Sequence, residues 1–118
     1  MTIGGEPVQT SVVLRTARQL IEREANWTAR AYARNMVGKD VSITSSSACC
    51  FCLEGALRRA VWQHCGITVP FGWSQLYDAM HKLAKMRGFP TAVSANDRGG
   101  HKIALMLIDD ALAELEGA

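Results

Sequence analysis

Four cysteines, three histidines and one Asn-Asp step are the residues of this chain best suited to carry chemistry. Cys52 stands at the start of a helical pattern, where the amides and dipole of a helix N-terminus favour a thiolate and lower its pKa. A nucleophilic thiolate also needs a base within hydrogen-bond reach. His64 lies about three turns farther along the same expected helix, ~18 Å away at ~1.5 Å per residue, too far to serve if that helix is straight. His101, beside Asn96-Asp97 and Gly99-Gly100, is the candidate base, with Asp97 or Asn96 to orient it. Against this stands the ordinary role of a small buried cysteine packed beside Gly55 and Ala56. The packed role is favoured, so no catalytic residue is assigned, and Cys52 with His101 and Asp97 is kept as the alternative of a cysteine-dependent hydrolase or transferase.

Cys49-Cys50-Phe51-Cys52 contains a Cys-x-x-Cys, and His64-Cys65 lies beyond it. Structural zinc needs four ligands converging on one point. Here the second pair sits at the far end of an expected helix, which chelation would have to break. The same motif lacks the strand-then-helix context of a thioredoxin-type redox site. Neither metal nor cofactor is expected. Geometry disfavours bridges between such close neighbours, and a chain of 118 residues does not need disulfide staples. Reduced thiols and a cytoplasmic location follow as expectations.

The formal charge of +2 is too small for a dedicated nucleic-acid surface. Arg58-Arg59 and the arginines at 15, 18, 23, 30 and 34 have acidic residues interspersed and read as a solvated face. The apolar run from Ile103 to Ile108 is far short of the ~20 residues that a membrane-spanning helix needs. The start of the chain lacks the basic and apolar stretches of a secretory signal. Val69-Pro70-Phe71-Gly72-Trp73 is rich in bulky apolar side chains for a connection. Phe71 and Trp73 are therefore the candidate anchors for a protein partner, since interfaces favour aromatics at their centres.

These residues must be positioned by a few elements. Residues 1–9 read as a flexible lead-in and 10–118 as a single helical domain. A first helix, capped by Thr10 or Ser11, puts Val13, Ala17, Leu20 and Ile21 on one face and runs to about Glu24. From Trp27 to Arg34 small or apolar and polar residues alternate, which fits a strand. Turn chemistry at 35–40 and a return strand at Val41 and Ile43 would make it a small hairpin, with a continued helix as the competing reading. Ser45-Ser46-Ser47 offers N-caps for a second helix that buries Cys52, Leu53, Ala56, Leu57, Ala60 and Val61 and stops at Gly66. A third helix, capped by Ser74, buries Leu76, Met80, Leu83 and Ala84 and ends at Gly88 and Pro90. Thr91 to Gly100 has no clear period and reads as a loop, and a fourth helix carries Ile103, Ala104, Leu107, Ile108, Ala111, Leu112 and Leu115. Gly55, costly inside a helix, implies close helix packing rather than ligand contact.

Three features together, Trp27 with its Ala-rich stretch, Phe51-Cys52-Leu53-Glu54-Gly55-Ala56-Leu57-Arg58-Arg59-Ala60, and Asn96-Asp97 before the last helix, resemble an uncharacterised bacterial and phage family of small domains. Phe51 stands where that pattern usually has Trp, and Ala95 where it has an aromatic. The resemblance implies a fold and a phage or mobile-element setting, and no reaction or ligand. The expected fold is mainly α (α+β), about four helices with one small β-hairpin. The expected function is that of a non-enzymatic protein-interaction or regulatory domain acting on an unidentified protein partner, for example as an inhibitor of a host system.

Overall fold

The computed structural model describes residues 10–68 and 73–117, the side chains of Trp73 and Ser74 excepted. The expected lead-in at 1–9 and the candidate anchor Phe71 lie outside the described residues. Trp73 opens the third helix, and its side chain lies outside them as well.

Five helices, α1 (Thr10–Leu20), α2 (Leu53–Cys65), α3 (Trp73–Met86), α4 (Ala92–Gly99) and α5 (His101–Gly117), accompany one two-stranded antiparallel ribbon, β1 (Ala33–Arg34) with β2 (Cys50–Phe51). The fold is mainly α with a minor β element, with five helices where four were expected. α5 lies centrally, against α1, α3 and α4, while α2 packs on α1 and α4. The faces read from periodicity are the buried ones except at a few positions: Leu20, Ile103 and Leu112 are half-buried, and Leu115 is exposed. Val13, Ala17 and Ile21, then Leu53 through Val61 on the α2 stripe, Leu76, Met80, Leu83 and Ala84, and Ala104, Leu107, Ile108 and Ala111 form one core. Leu14 joins it without having been singled out. Arg18 pairs with Asp109 at 2.7 Å across the solvent side of the α1–α5 contact.

Four local expectations are corrected. The first helix stops at Leu20, and a separate 3-10 turn at Glu24–Asn26 follows. The ribbon partner of Ala33–Arg34 is Cys50–Phe51 rather than Val41 and Ile43. The turn itself forms: Asn35 Oδ1 accepts from the amides of Val37 and Lys39, and Val41 N donates to Ala33 O at 3.1 Å. Beyond it the serines take the backbone elsewhere. Ser42 Oγ accepts from Thr44 N and Ser45 Oγ from Ser47 N, local bonds that compete with a ladder. Those serines therefore do not cap α2. Its N-cap is Cys52, whose Sγ accepts from Gly55 N at 3.2 Å. Gly66 closes the helix in the left-handed conformation, φ 73°, as read.

The fourth correction concerns 91–100. Most of it is helix α4, capped by Thr91 Oγ1, which accepts from Ser94 N at 3.0 Å. α4 buries Ala92, Ala95 and Asn96, so its inward face is too small and too polar to register as a hydrophobic period. Gly100 alone, at φ 89°, separates α4 from α5.

Candidate functional site

Asn96 is the centre of the region to which the sequence pointed. It is 2% exposed, and its amide makes four hydrogen bonds. Oδ1 accepts from Trp27 Nε1 at 2.8 Å and from Leu53 N at 2.9 Å. Nδ2 donates to Thr28 O at 3.2 Å and to Asp97 Oδ1 at 3.0 Å. This uses the full bonding capacity of the side chain. One residue of α4 thereby ties down the first turn of α2 and the segment that leads from Trp27 into β1.

Asp97 continues the work. Its Oδ1 also accepts from Arg30 N at 3.0 Å, and Arg30 has φ 65°, a left-handed conformation uncommon for a residue with a β-carbon. That conformation ends the alternation read as a strand from Trp27. It brings the chain down onto α2, where Cys52 N donates to Tyr32 O at 3.3 Å. A β-carbon on Gly55 would lie 1.9 Å from the same carbonyl oxygen, so glycine is required for this crossing. The close packing inferred from Gly55 is real, but what packs against it is the non-helical 27–32 segment and not another helix.

Around the crossing lies a cavity of about 570 Å³, lined among others by Arg30, Tyr32, Cys52, Glu54, Asn96 and Asp97. Cys52 and Asp97, two members of the alternative catalytic set, therefore share one cavity. His101 is not among its lining residues. Its Nε2 donates to Ile21 O at 2.5 Å, and its ring meets Trp27 at 5.9 Å between centroids. The Cys52 thiol is buried, and burial is the main cause that pushes its pKa up to about 11, outweighing the Gly55 amide that favours the thiolate. Desolvation thus overrides the dipole argument made from its place at a helix N-terminus.

Glu54 was missed. Its carboxylate is buried in the first turn of α2 and pairs with Arg58 Nε at 2.9 Å. Tyr77 is pushed up to about 12 by burial and by a hydrogen bond to the Glu54 carboxylate. Tyr32 is raised first by the charge of the same carboxylate and then by a hydrogen bond to it. The Arg58 guanidinium also lies 5.2 Å from the centre of the Tyr32 ring. A Glu–Arg pair four residues apart was the available signal. Arg58 and Arg59 accordingly do not form a simple solvated face: Arg59 Nη1 donates to Ile43 O at 2.7 Å and Ser45 O at 3.0 Å, bracing the 42–47 segment.

All four cysteines are free thiols. Among the described residues no group of three or more His, Cys, Asp or Glu is placed to hold a metal ion, and no helix is long and apolar enough to cross a membrane. The model of a family of unknown function, DUF6197, matches residues 5–114. No curated protein and no solved structure matches the chain.

Proposed function

This chain belongs to the DUF6197 family, whose function is unknown, and from its geometry we propose that it is a non-enzymatic binding module that docks on another protein. One observation carries the reading: Met36 and Val37 are 91% and 85% exposed at the tip of a tight turn. Asn35 holds that turn through two backbone amides, so the pair is displayed on a braced support and loses little freedom on binding. Asp40 closes the turn and lines the neighbouring cavity together with Arg30, Glu54 and Asp97, and Arg34 pairs with Asp40 at 3.2 Å and Arg58 with Glu54 at 2.9 Å, so two of the three carboxylates are already matched. The partner chemistry that fits is an apolar socket for Met36 and Val37. Phe71 and Trp73 remain part of the proposal on their sequence context alone. A cytoplasmic site of action is supported by the free thiols, and a phage or mobile-element setting, with inhibition of a host system as one role, by the sequence resemblance.

The alternative, a hydrolase or transferase using Cys52 with His101, is favoured by one observation: Cys52 and Asp97 line the same cavity. It is disfavoured by the raised thiol pKa and by the engagement of the imidazole with Ile21 O.

Quantitative capture from the native host separates the two. Four folded baits are compared: wild type, the double variant Met36→Ser/Val37→Ser, Trp73→Ala and Cys52→Ala. Docking at the tip requires a partner that wild type and Cys52→Ala retain in equal amount and the double variant loses, with cross-links from the partner to residues near the tip. Trp73→Ala reports separately on the aromatic anchor. A biological activity abolished in folded Cys52→Ala and preserved in the double variant would replace docking by thiol chemistry.

A further inference from the structure

Cys49 and Cys50 take no part in the cavity or in the tip, and the fold places their sulfurs 3.5 Å apart. Both side chains are half-buried, so solutes reach them, whereas Cys52 is buried. We propose that Cys49 and Cys50 form a reversible redox modification site, at which a hydroperoxide closes the two neighbouring thiols into one intramolecular disulfide.

The sulfurs are already near one another, and it is the backbone between them that must yield. A disulfide measures about 2.05 Å, so the sulfurs must close by roughly 1.5 Å from their separation of 3.5 Å. In the first step one of the two sulfurs, as its thiolate, attacks one peroxide oxygen. The O–O bond breaks, the sulfur is oxidised to a sulfenic acid, and the departing alkoxide or hydroxide takes up a proton as alcohol or water. In the second, the other sulfur attacks the sulfenic sulfur. The S–S bond forms, the S–O bond breaks, and the hydroxyl leaves with the second thiol's proton as water. The 3.5 Å separation puts either sulfur in reach of the other's sulfenic acid. The sum is two thiols and one hydroperoxide giving a disulfide, an alcohol or water, and water. An added dithiol returns both electrons.

The site is wired into the fold. In the reduced protein Cys50 Sγ donates to Ala25 O at 3.2 Å, and Asn26 Nδ2 donates to Cys49 O at 3.0 Å. Cys49 N donates to Arg34 O, and Thr28 N to Phe51 O, each at 3.0 Å. Oxidation removes the Cys50 donor outright. A ring spanning a single peptide also twists that peptide away from planarity, and its carbonyl is the one that Asn26 holds. The bonds anchoring the Glu24–Asn26 turn to β2 are therefore the ones to weaken. A disulfide strained in this way is readily reduced, which suits a transient mark in a reducing compartment.

The test treats the full-length reduced protein with equimolar hydrogen peroxide, alkylates it and maps the products by mass spectrometry. The expected product is monomeric, lighter by two hydrogen atoms, linked between Cys49 and Cys50, and restored by dithiothreitol. Cys49→Ser and Cys50→Ser each stop at a sulfenic acid that dimedone traps, while Cys65→Ser behaves as wild type. Hydrogen exchange at Cys49 N and Thr28 N quickens on oxidation and reverts on reduction. Linkage to Cys52 or Cys65, a disulfide between molecules, or sulfinic acid formed as fast in wild type as in the single variants overturns the proposal. The linkage is read on wild type, so the test stands even if a variant fails to fold.

Discussion

Asn96 shows how much one amide can carry when every lone pair and proton is used. Removing it leaves Trp27 Nε1 and Leu53 N as buried or half-buried donors without their acceptor. Each such loss costs about 1–3 kcal/mol. Asn96→Ala is therefore expected to lower stability by at least about 2 kcal/mol, a fall in Tm of roughly 10 °C for a domain of this size. Asn96→Asp should be no better, because a carboxylate cannot donate to Thr28 O and would repel Asp97. Thermal unfolding followed by circular dichroism checks both. A Tm within about 2 °C of wild type for either variant would refute the keystone role, given the scale of the effect.

At the level of elements, the crossing of the 27–32 segment over α2 depends on the absence of a side chain at Gly55. In an exposed helix Gly→Ala is a gain of ~1 kcal/mol. Here the new β-carbon would meet backbone, the Tyr32 carbonyl, at 1.9 Å, and backbone cannot rotate aside. Gly55→Ala is expected to destabilise by about 1–3 kcal/mol, opposite in sign to its helix propensity. Denaturant titration gives the comparison directly, since a stabilised Gly55→Ala would mean that the crossing is loose. The same crossing explains why Cys52 caps α2: Tyr32 O takes its amide, and the thiol is left facing Gly55 N.

For the whole molecule, the raised pKa values set a stability window. Cys52 ordinarily titrates near 9 and in the fold near 11, so folding favours its protonated form. The resulting stabilisation is complete below pH about 9 and is lost as pH rises from there to about 11. For this well-buried thiol two pKa units correspond to roughly 2–3 kcal/mol. Tyr77 acts in the same direction between about 10 and about 12. Stability is expected to be insensitive to these groups at neutral pH and to fall steeply above pH about 9. Cys52→Ala should flatten the first part of that fall while costing some packing energy at neutral pH. An identical pH profile for the variant would show that the thiol is not held neutral by the fold.

Periodicity was enough to read α1, α2, α3 and α5 and most of their buried faces, Leu115 being the exposed exception, because large apolar residues at three- and four-residue spacing leave water together by packing one face inward. Gly66 as a C-cap and Gly55 as a point of close packing were legible for the same local reason: each is a residue whose cost demands compensation. The local signals failed where a distant group outcompeted them. Thr91 to Gly100 reads as a loop because α4 is buried through alanines and a polar amide. An activated Cys52 thiol stayed open as an alternative to the packed one because a helix N-terminus is visible in sequence, whereas the amount of burial that raises the thiol's pKa is not. Glu54, Tyr32 and Tyr77 come together from three separate segments, and Cys49 and Cys50 face each other only because β1 and the Glu24–Asn26 turn hold the backbone on either side. Which side chains face water, and which spend their hydrogen bonds on one another, is decided by contacts between residues far apart in the chain, and those contacts exist only once the helices have packed.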